Sequence, residues 1–323
     1  MPVDPRLQPI VDLMNAQPPA DDKGLSVEEL RARAHAGMEL SFLAMGEPGP
    51  DVASIVEHRV PVGGTEGVEA GEITVRVYTP FGDGPFPGHL YLHGGGFWLG
   101  APSHFDNLCQ ATADGAGCVV ASVDYRLAPE FTFPVAPEDG YTALRWFVDH
   151  AGELNVDPDR VSIGGGSAGG NLSAVVSLMA RDRNGPPIVF QVLEIPATDL
   201  TGSHPSVEEN GEGYLLTKDG MQQCVDYYLA DPGDAKHPYA SPMFADDLSG
   251  LPPALVMTAE FDPLRDEGEA YGRRLQEAGV PTVIRRWDGQ FHGSQSMSKI
   301  IPDTAAEYRD MVVAALREAY RTA

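Results

Sequence analysis

The stretch "RVSIGGGSAGGN", residues 160–171, constrains the fold more than any other part of the chain. A short apolar strand runs into a glycine-rich turn, and a helical run, "AGGNLSAVVSLMARD", leaves it. Such a junction belongs to a mostly parallel sheet covered by helices. Two chemistries use it. Gly164, Gly166 and Gly169 satisfy G-x-G-x-x-G, a dinucleotide fingerprint, whereas Gly165, Ser167 and Gly169 satisfy G-x-S-x-G, the turn that presents a nucleophilic serine. Both exploit the free N–H groups of a helix N-terminus, so the turn alone does not decide.

The surrounding pattern supports a parallel sheet. From residue 72 strands alternate with helices. "EITVRVYTP" alternates apolar and polar residues, as a half-exposed strand does. "HLYLHGGG", "CVVASVDY", "RVSIGGG", "IVFQVLEIP" and "ALVMTAEFD" are more continuously apolar, which suits strands covered on both faces. "TVIRRWD" reads as a final strand. Helical patterns fall at 137–150, 168–182, 217–229, 264–278 and 303–321. Ahead of the strands, Leu7, Ile10, Val11 and Met14 share one helical face. Ser26 with Glu29 three residues on forms a capping box for a second helix. These two helices are expected to cap the main domain. The long interval between strands 188–196 and 254–261 is expected to lie over the C-terminal edge of the sheet, and with the N-terminal helices to form a lid. The whole chain, 1–323, is thus expected to be a single domain, with cap elements from 1–45 and about 198–245.

Composition excludes several classes of function. The chain has 47 acidic and 22 basic residues, a formal net charge of −25. Tracking nucleic acid requires Lys and Arg against phosphate, so no nucleic-acid partner is expected. Three cysteines, Cys109, Cys118 and Cys224, are odd in number and lack metal-site spacing. The N-terminus lacks a basic start followed by an apolar run, and no stretch of 18 apolar residues exists. A cytoplasmic protein without a membrane partner is the expectation.

Other residues separate the two readings of the turn. The dinucleotide reading wants an acidic residue about 20 positions on, and Glu194 lies 25 past Gly169. Yet the turn sits mid-chain, after several strands. The hydrolase reading makes more demands. A serine hydroxyl needs a base to take its proton. The strained turn needs small residues two before and two after, and Gly165 and Gly169 fill those places. An acid and then a histidine must follow in sequence, and backbone donors must face the developing oxyanion. "HGGGFW" (93–98) follows an apolar strand and supplies a glycine loop. "EFDPLRDEG" places Asp262 at a strand end, with Glu260, Asp266 and Glu267 as rivals. "DGQFHGS" places His292 in a loop after the last strand.

With "HGGGF", "DYRLAPE", "GGGSAGGN", "DPLRDEG" and "FHG" in this order, the chain resembles the hormone-sensitive-lipase-like carboxylesterases, the bacterial family IV of the α/β-hydrolase fold. The resemblance covers nearly the whole chain. It implies an α/β class with a mostly parallel central sheet, helices on both faces and a helical cap. It implies a serine esterase acting on short- to medium-chain acyl esters through an acyl-enzyme, without metal or organic cofactor. It implies Ser167 as nucleophile, His292 as base, Asp262 as its orienting acid, and Gly95, Gly96 and Ala168 as oxyanion donors. A homodimer through the edge strand "TVIRRWD" is implied only at family level. Amide or carbamate hydrolysis by the same residues stays open, as does a non-catalytic ligand-binding role, although such members of the fold lose the histidine.

Other candidates are weighed against ordinary packing. Phe97 and Trp98 wall a pocket or simply pack under the cap. Tyr214, Leu215, Tyr227, Tyr228 and Met243 are candidate lid contacts. Arg126 and Glu130 are expected to tie a loop, and His93 to shape the glycine loop. His35, His58, His89, His104, His150, His204 and His237 read as surface or capping residues. Two departures from the family stand out. Gly166 stands where the family usually has Asp, so a Gly166→Asp variant is expected to fold, to be active and to melt higher. Glu194 stands in a strand that is usually apolar or aromatic there, and the ordinary expectation is pairing with an Arg or exposure at the strand end.

Overall fold

The computed structural model describes residues 2–16, 24–64 and 67–323, without the side chains at 42 and 43. Two helices lead, α1 (Gln8–Ala16) and α2 (Val27–Met45). The expected apolar face of the first is real: Leu7 and Val11 are buried, and Ile10 and Met14 pack beside them against Phe291, Met297 and Ile301. The capping box at the start of α2 forms in both directions. The Glu29 amide donates to Ser26 Oγ at 3.2 Å, and the Ser26 amide donates to the Glu29 carboxylate at 2.8 Å.

Strands β1 (Ser54–Val62), β2 (Gly71–Thr79) and β3 (Phe86–Leu92) follow, then α3 (Asp106–Ala116) and β4 (Val119–Asp124). Next come α4 (Val135–Asp149), β5 (Val156–Gly166), α5 (Ala168–Asp182) and β6 (Gln191–Glu194). The excursion holds α6 (Pro205–Asn210) and α7 (Lys218–Tyr228), and the chain ends with β7 (Ala254–Phe261), α8 (Arg265–Glu277), β8 (Thr282–Phe291) and α9 (Pro302–Thr322). The eight strands form one sheet in the order β1-β2-β4-β3-β5-β6-β7-β8. β1 and β2 join antiparallel and β2 meets β4 antiparallel, while every other pairing is parallel.

One strand was not anticipated. Strands begin at Ser54, not at residue 72. β1 is an edge strand with only Val60 and Val62 buried, and Pro61 interrupts its pattern. Proline removes a ladder donor and is tolerated at a sheet edge, so this segment does not read as a strand in isolation.

Burial on both faces explains the continuous apolar runs. Successive strand residues point to opposite faces. Leu90 and Leu92 of β3 therefore join the cluster with α4 and α5, whereas Tyr91 joins the cluster with α3 and α9. β5 runs between β3 and β6 near the sheet's centre, and every residue from Ala168 to Ala180 of α5 is buried. The serine turn is thus held between the buried end of β5, Val161–Gly165, and the buried helix α5. Among the described residues no helix is long and apolar enough to cross a membrane.

Candidate active site

Ser167 sits at the turn between β5 and α5 with φ 58° and ψ −119°, a backbone conformation that non-glycine residues rarely adopt. Strain of this kind costs about 1–3 kcal/mol and persists where surroundings over-determine it. The surroundings are tight. A Cβ on Gly165 or Gly169 would overlap the Leu92 carbonyl oxygen, so both places accept only glycine. The Ser167 amide donates to the Glu194 carbonyl at 2.8 Å, and its carbonyl accepts from the Ala197 amide at 3.2 Å.

The three residues read from the sequence converge. His292 Nε2 lies 3.1 Å from Ser167 Oγ, and His292 Nδ1 lies 2.7 Å from Asp262 Oδ2. Asp262 is fully buried, and its Oδ1 accepts from the Leu264 amide at 2.8 Å. Asn210 of α6 donates to the Asp262 carbonyl at 3.2 Å, so the excursion also holds the acid's loop. The rivals point elsewhere. Glu260 accepts from the Gly289 amide, Asp266 pairs with Arg265, and Glu267 accepts from the Thr198 and Asp199 amides.

The glycine loop after β3 faces the same space. Gly95 and Gly96 take φ 127° and 59°, and Phe97 φ 68°. The loop is stitched by Trp98 and Leu99 amides to the Gly95 carbonyl and by the Ala128 amide to the Phe97 carbonyl. Among the described residues the amides of Gly95, Gly96 and Ala168 have no protein acceptor, and all three residues line one cavity with Ser167 and His292. His93 shapes the loop as expected, its Nδ1 lying 2.8 Å from the Gly94 carbonyl oxygen, and burial lowers its pKa to about 4. It therefore stays neutral near pH 7.

The cavity has a volume of about 720 Å³, within the range of small-molecule sites. Phe97, Trp98 and Leu215 line it. Tyr214 and Met243, expected there too, do not. Tyr214 packs on Phe261 with ring centroids 5.1 Å apart, and Met243 joins the cluster under α8. Tyr228 is buried behind Phe97, stacked at 3.9 Å, and Tyr227 meets Trp98 edge-on. Adjacent residues in an irregular loop have no fixed period, so the sequence did not tell Leu215 from Tyr214. Met221, Cys224 and Val225 of α7 and Leu108 of α3 also line the cavity and were missed. The helical pattern around 217–229 was visible, but not which face would look inward.

Two residues of α2 reach the loop directly. Arg31 of α2 donates to the Trp98 carbonyl at 2.8 Å and the Ala128 carbonyl at 2.7 Å, and pairs with Glu130. His35 Nε2 accepts from the Gly100 amide at 3.0 Å. Arg126 grips the buried Asp139 at 2.7 Å. His89 departs from the sequence reading: it is buried in β3, bonded to Ser162 at 2.8 Å. Glu194 departs as well. It is neither exposed nor paired with an Arg, but buried against the cavity. No group of three or more metal-ligating side chains occurs among the described residues.

A family model described as alpha/beta hydrolase fold matches residues 89–296. The carboxylic ester hydrolase LipN of Mycobacterium tuberculosis is 40% identical over 298 residues, covering 90% of this chain and 77% of the relative. An arylesterase of Saccharolobus solfataricus is 34% identical over 325 residues, covering 99% of this chain and all of the relative. A hyperthermophilic esterase from the archaeon Pyrobaculum calidifontis superposes with a TM-score of 0.90 at 40% identity, over 98% of this chain and 99% of that one. Family model, relatives and fold agree with the turn, the glycine loop and the His292 contact, and the chain belongs to the hormone-sensitive-lipase-like carboxylesterases of the α/β-hydrolase fold.

Proposed function

We propose that this carboxylic ester hydrolase cleaves short- to medium-chain acyl esters with Ser167 as nucleophile, His292 as general base and Asp262 as the acid that orients it. The observation that carries the assignment is the chain of contacts from Ser167 Oγ to His292 Nε2 at 3.1 Å and from His292 Nδ1 to Asp262 at 2.7 Å. His292 takes the hydroxyl proton as Ser167 Oγ attacks the ester carbonyl carbon. Asp262 holds the tautomer with the proton on Nδ1 and stabilises the imidazolium. The amides of Gly95, Gly96 and Ala168 receive the oxyanion, each such donor being worth about 3 kcal/mol of barrier. His292 then gives its proton to the leaving alcohol. Water, deprotonated by the same histidine, attacks the acyl-enzyme and releases the acid.

The described parts of residues 1–45, which exclude 1 and 17–23, act with 198–245 as a cap over this machinery. Arg31 and His35 hold the glycine loop from above, and Asn15 of α1 donates to the Gly213 carbonyl of the excursion at 3.1 Å. A dimer would use the open edge of β8, where Val283 is exposed. Three unpaired cysteines suit a reducing cytoplasm.

The test is labelling with a fluorophosphonate, peptide mapping of the adduct, and hydrolysis of p-nitrophenyl acetate, butyrate and palmitate. The adduct is expected on Ser167, with butyrate turned over faster than palmitate and Ser167→Ala inactive on all three. An adduct on another residue, or hydrolysis retained by Ser167→Ala, overturns the assignment.

A further inference from the structure

Glu194 is the last residue of β6, and its carbonyl accepts the Ser167 amide. It shares a sheet face with Val192, turned toward α3 and α9. Glu194 is 5% exposed and borders the cavity, which Tyr91, Phe105, Leu108, Tyr308 and Val312, with Arg309 of α9, also line. A carboxyl there needs partners, because an unpaired buried charge is costly. None of the usual ones is present. No Arg, Lys or His pairs with it among the described residues. The Tyr308 hydroxyl comes near but completes no well-aligned hydrogen bond, and that hydroxyl is itself buried without a partner.

The neighbouring strand explains how the carboxyl fits. Gly166 lies opposite Glu194 in the β5–β6 register, and a Cβ at 166 would sit 3.9 Å from the Glu194 Cβ. The space beside the nucleophile is therefore left to Glu194. The result is a polar group with open hydrogen-bonding capacity in an aromatic and aliphatic lobe next to the reacting centre.

We propose that Glu194 is a specificity-determining residue whose carboxyl accepts a hydrogen bond from a hydroxyl or ammonium group on the substrate moiety filling this lobe. The enzyme thereby selects esters that carry a donor within a few bonds of the scissile carbonyl. The inference rests on the hydrolase reading given above. A site built to hydrogen-bond a substrate group discriminates strongly against the analogue lacking it, because its own polar atoms are then left unpaired. Burial raises the pKa of Glu194 to about 7, so the carboxyl gains its charge around neutral pH. The titratable groups acting with it are Tyr91 of β3, Cys109 of α3 and Tyr308 of α9, all held neutral by burial; His292 and Arg309 line the same cavity, and Arg309 pairs with Asp310. Selection for an ammonium group is therefore expected to strengthen as pH rises through 7.

The experiment compares kcat/KM by pH-stat for ethyl butyrate with three donor-bearing esters. Ethyl 3-hydroxybutyrate places the donor on the acyl side. Hydroxyethyl butyrate and dimethylaminoethyl butyrate place it on the alcohol side. In the series whose donor enters the lobe, the wild type is expected to prefer the donor-bearing ester by about tenfold. Glu194→Met abolishes that preference. Glu194→Gln, which still offers a carbonyl oxygen, keeps selection for a hydroxyl and loses selection for the ammonium. Each ratio is taken within one protein, so a general change in rate cancels. The pH dependence of the ammonium preference is read on the wild type and needs no variant to fold. A ratio near one for all three esters in the wild type, or a preference unchanged in Glu194→Met, overturns the inference. Either outcome leaves the Ser167 assignment standing, since labelling and the unsubstituted esters test that separately.

Discussion

Replacing Glu194 by leucine should make the protein more stable at pH 8 and change it little at pH 5. The carboxyl is 5% exposed, and burial lifts its pKa from the ordinary 4.5 to about 7. In the unfolded chain the group ionises at 4.5, and in the folded protein at about 7. Between these values the native state binds the extra proton, so stability falls as pH rises. At about 1.4 kcal/mol per pH unit, the loss accumulates to about 3 kcal/mol by pH 7 and then levels off. A carboxyl that borders an open cavity is partly screened by solvent, so this figure is an upper limit. Leucine has no proton to lose and suits a lobe of Tyr91, Leu108 and Val312. Urea denaturation of both proteins at pH 5, 6, 7 and 8 measures the difference. The expected curve for the variant minus the wild type is small at pH 5 and rises by as much as about 2.5 kcal/mol between pH 5 and pH 8. A difference independent of pH would refute the reasoning, as would a variant less stable than the wild type at pH 8.

Two further substitutions probe the same neighbourhood. Gly166→Asp has room for its Cβ, so the variant folds, but its carboxyl lands beside Glu194. Two carboxyls sharing one site cannot both ionise cheaply. Its melting temperature is expected to fall below wild type at pH 8 and to recover in a Glu194→Leu background. The sequence alone suggested a rise, and a rise at pH 8 with Glu194 intact would sink the argument. Arg31→Ala removes donors to the Trp98 and Ala128 carbonyls and the pair with Glu130. It is expected to lose about 1–2 kcal/mol of stability. kcat/KM on p-nitrophenyl butyrate should fall with it, because the same bonds hold the glycine loop. Thermal melts and initial rates check both parts, and an unchanged rate would separate α2 from the site.

The residues proposed to react were legible because chemistry restricts them to few types at places that strands mark. Ser167 lies between two glycines that a Cβ would push into Leu92, and Asp262 and His292 follow β7 and β8 directly. Interior strands were legible for a similar reason, since two-sided burial demands continuous apolar runs. β1 was not, because an edge strand with Pro61 carries half a pattern. The pocket wall was the least legible. Leu215 faces the cavity and Tyr214 does not, a choice made by the path of an irregular loop. Glu194 was singled out by residue type, yet its surroundings come from α3 and α9, far away in sequence, and its burial without an Arg partner had no local signal.

Helices α2 and α7 both contact the glycine loop proposed to hold the oxyanion, which bears on how substrate range can change. A Cβ on Gly96 would collide with the Cys224 sulfur of α7, so helix and loop touch without an intervening layer. Phe97 stacks on Tyr228 and Trp98 meets Tyr227, both from the last turn of α7. Arg31 and His35 hold the loop from α2. A substitution on α7 that reshapes the cavity therefore also bears on Gly95 and Gly96, whose amides are proposed to receive the oxyanion. A displaced oxyanion donor weakens transition-state stabilisation more than ground-state binding. Substitutions at the cavity face of α7 should consequently change kcat along with KM. Glu194 belongs to different elements, at the end of β6 on the sheet face that α3 and α9 cover. On the proposed reading, changes there alter which ester is chosen without touching the contacts of α2 and α7 with the glycine loop.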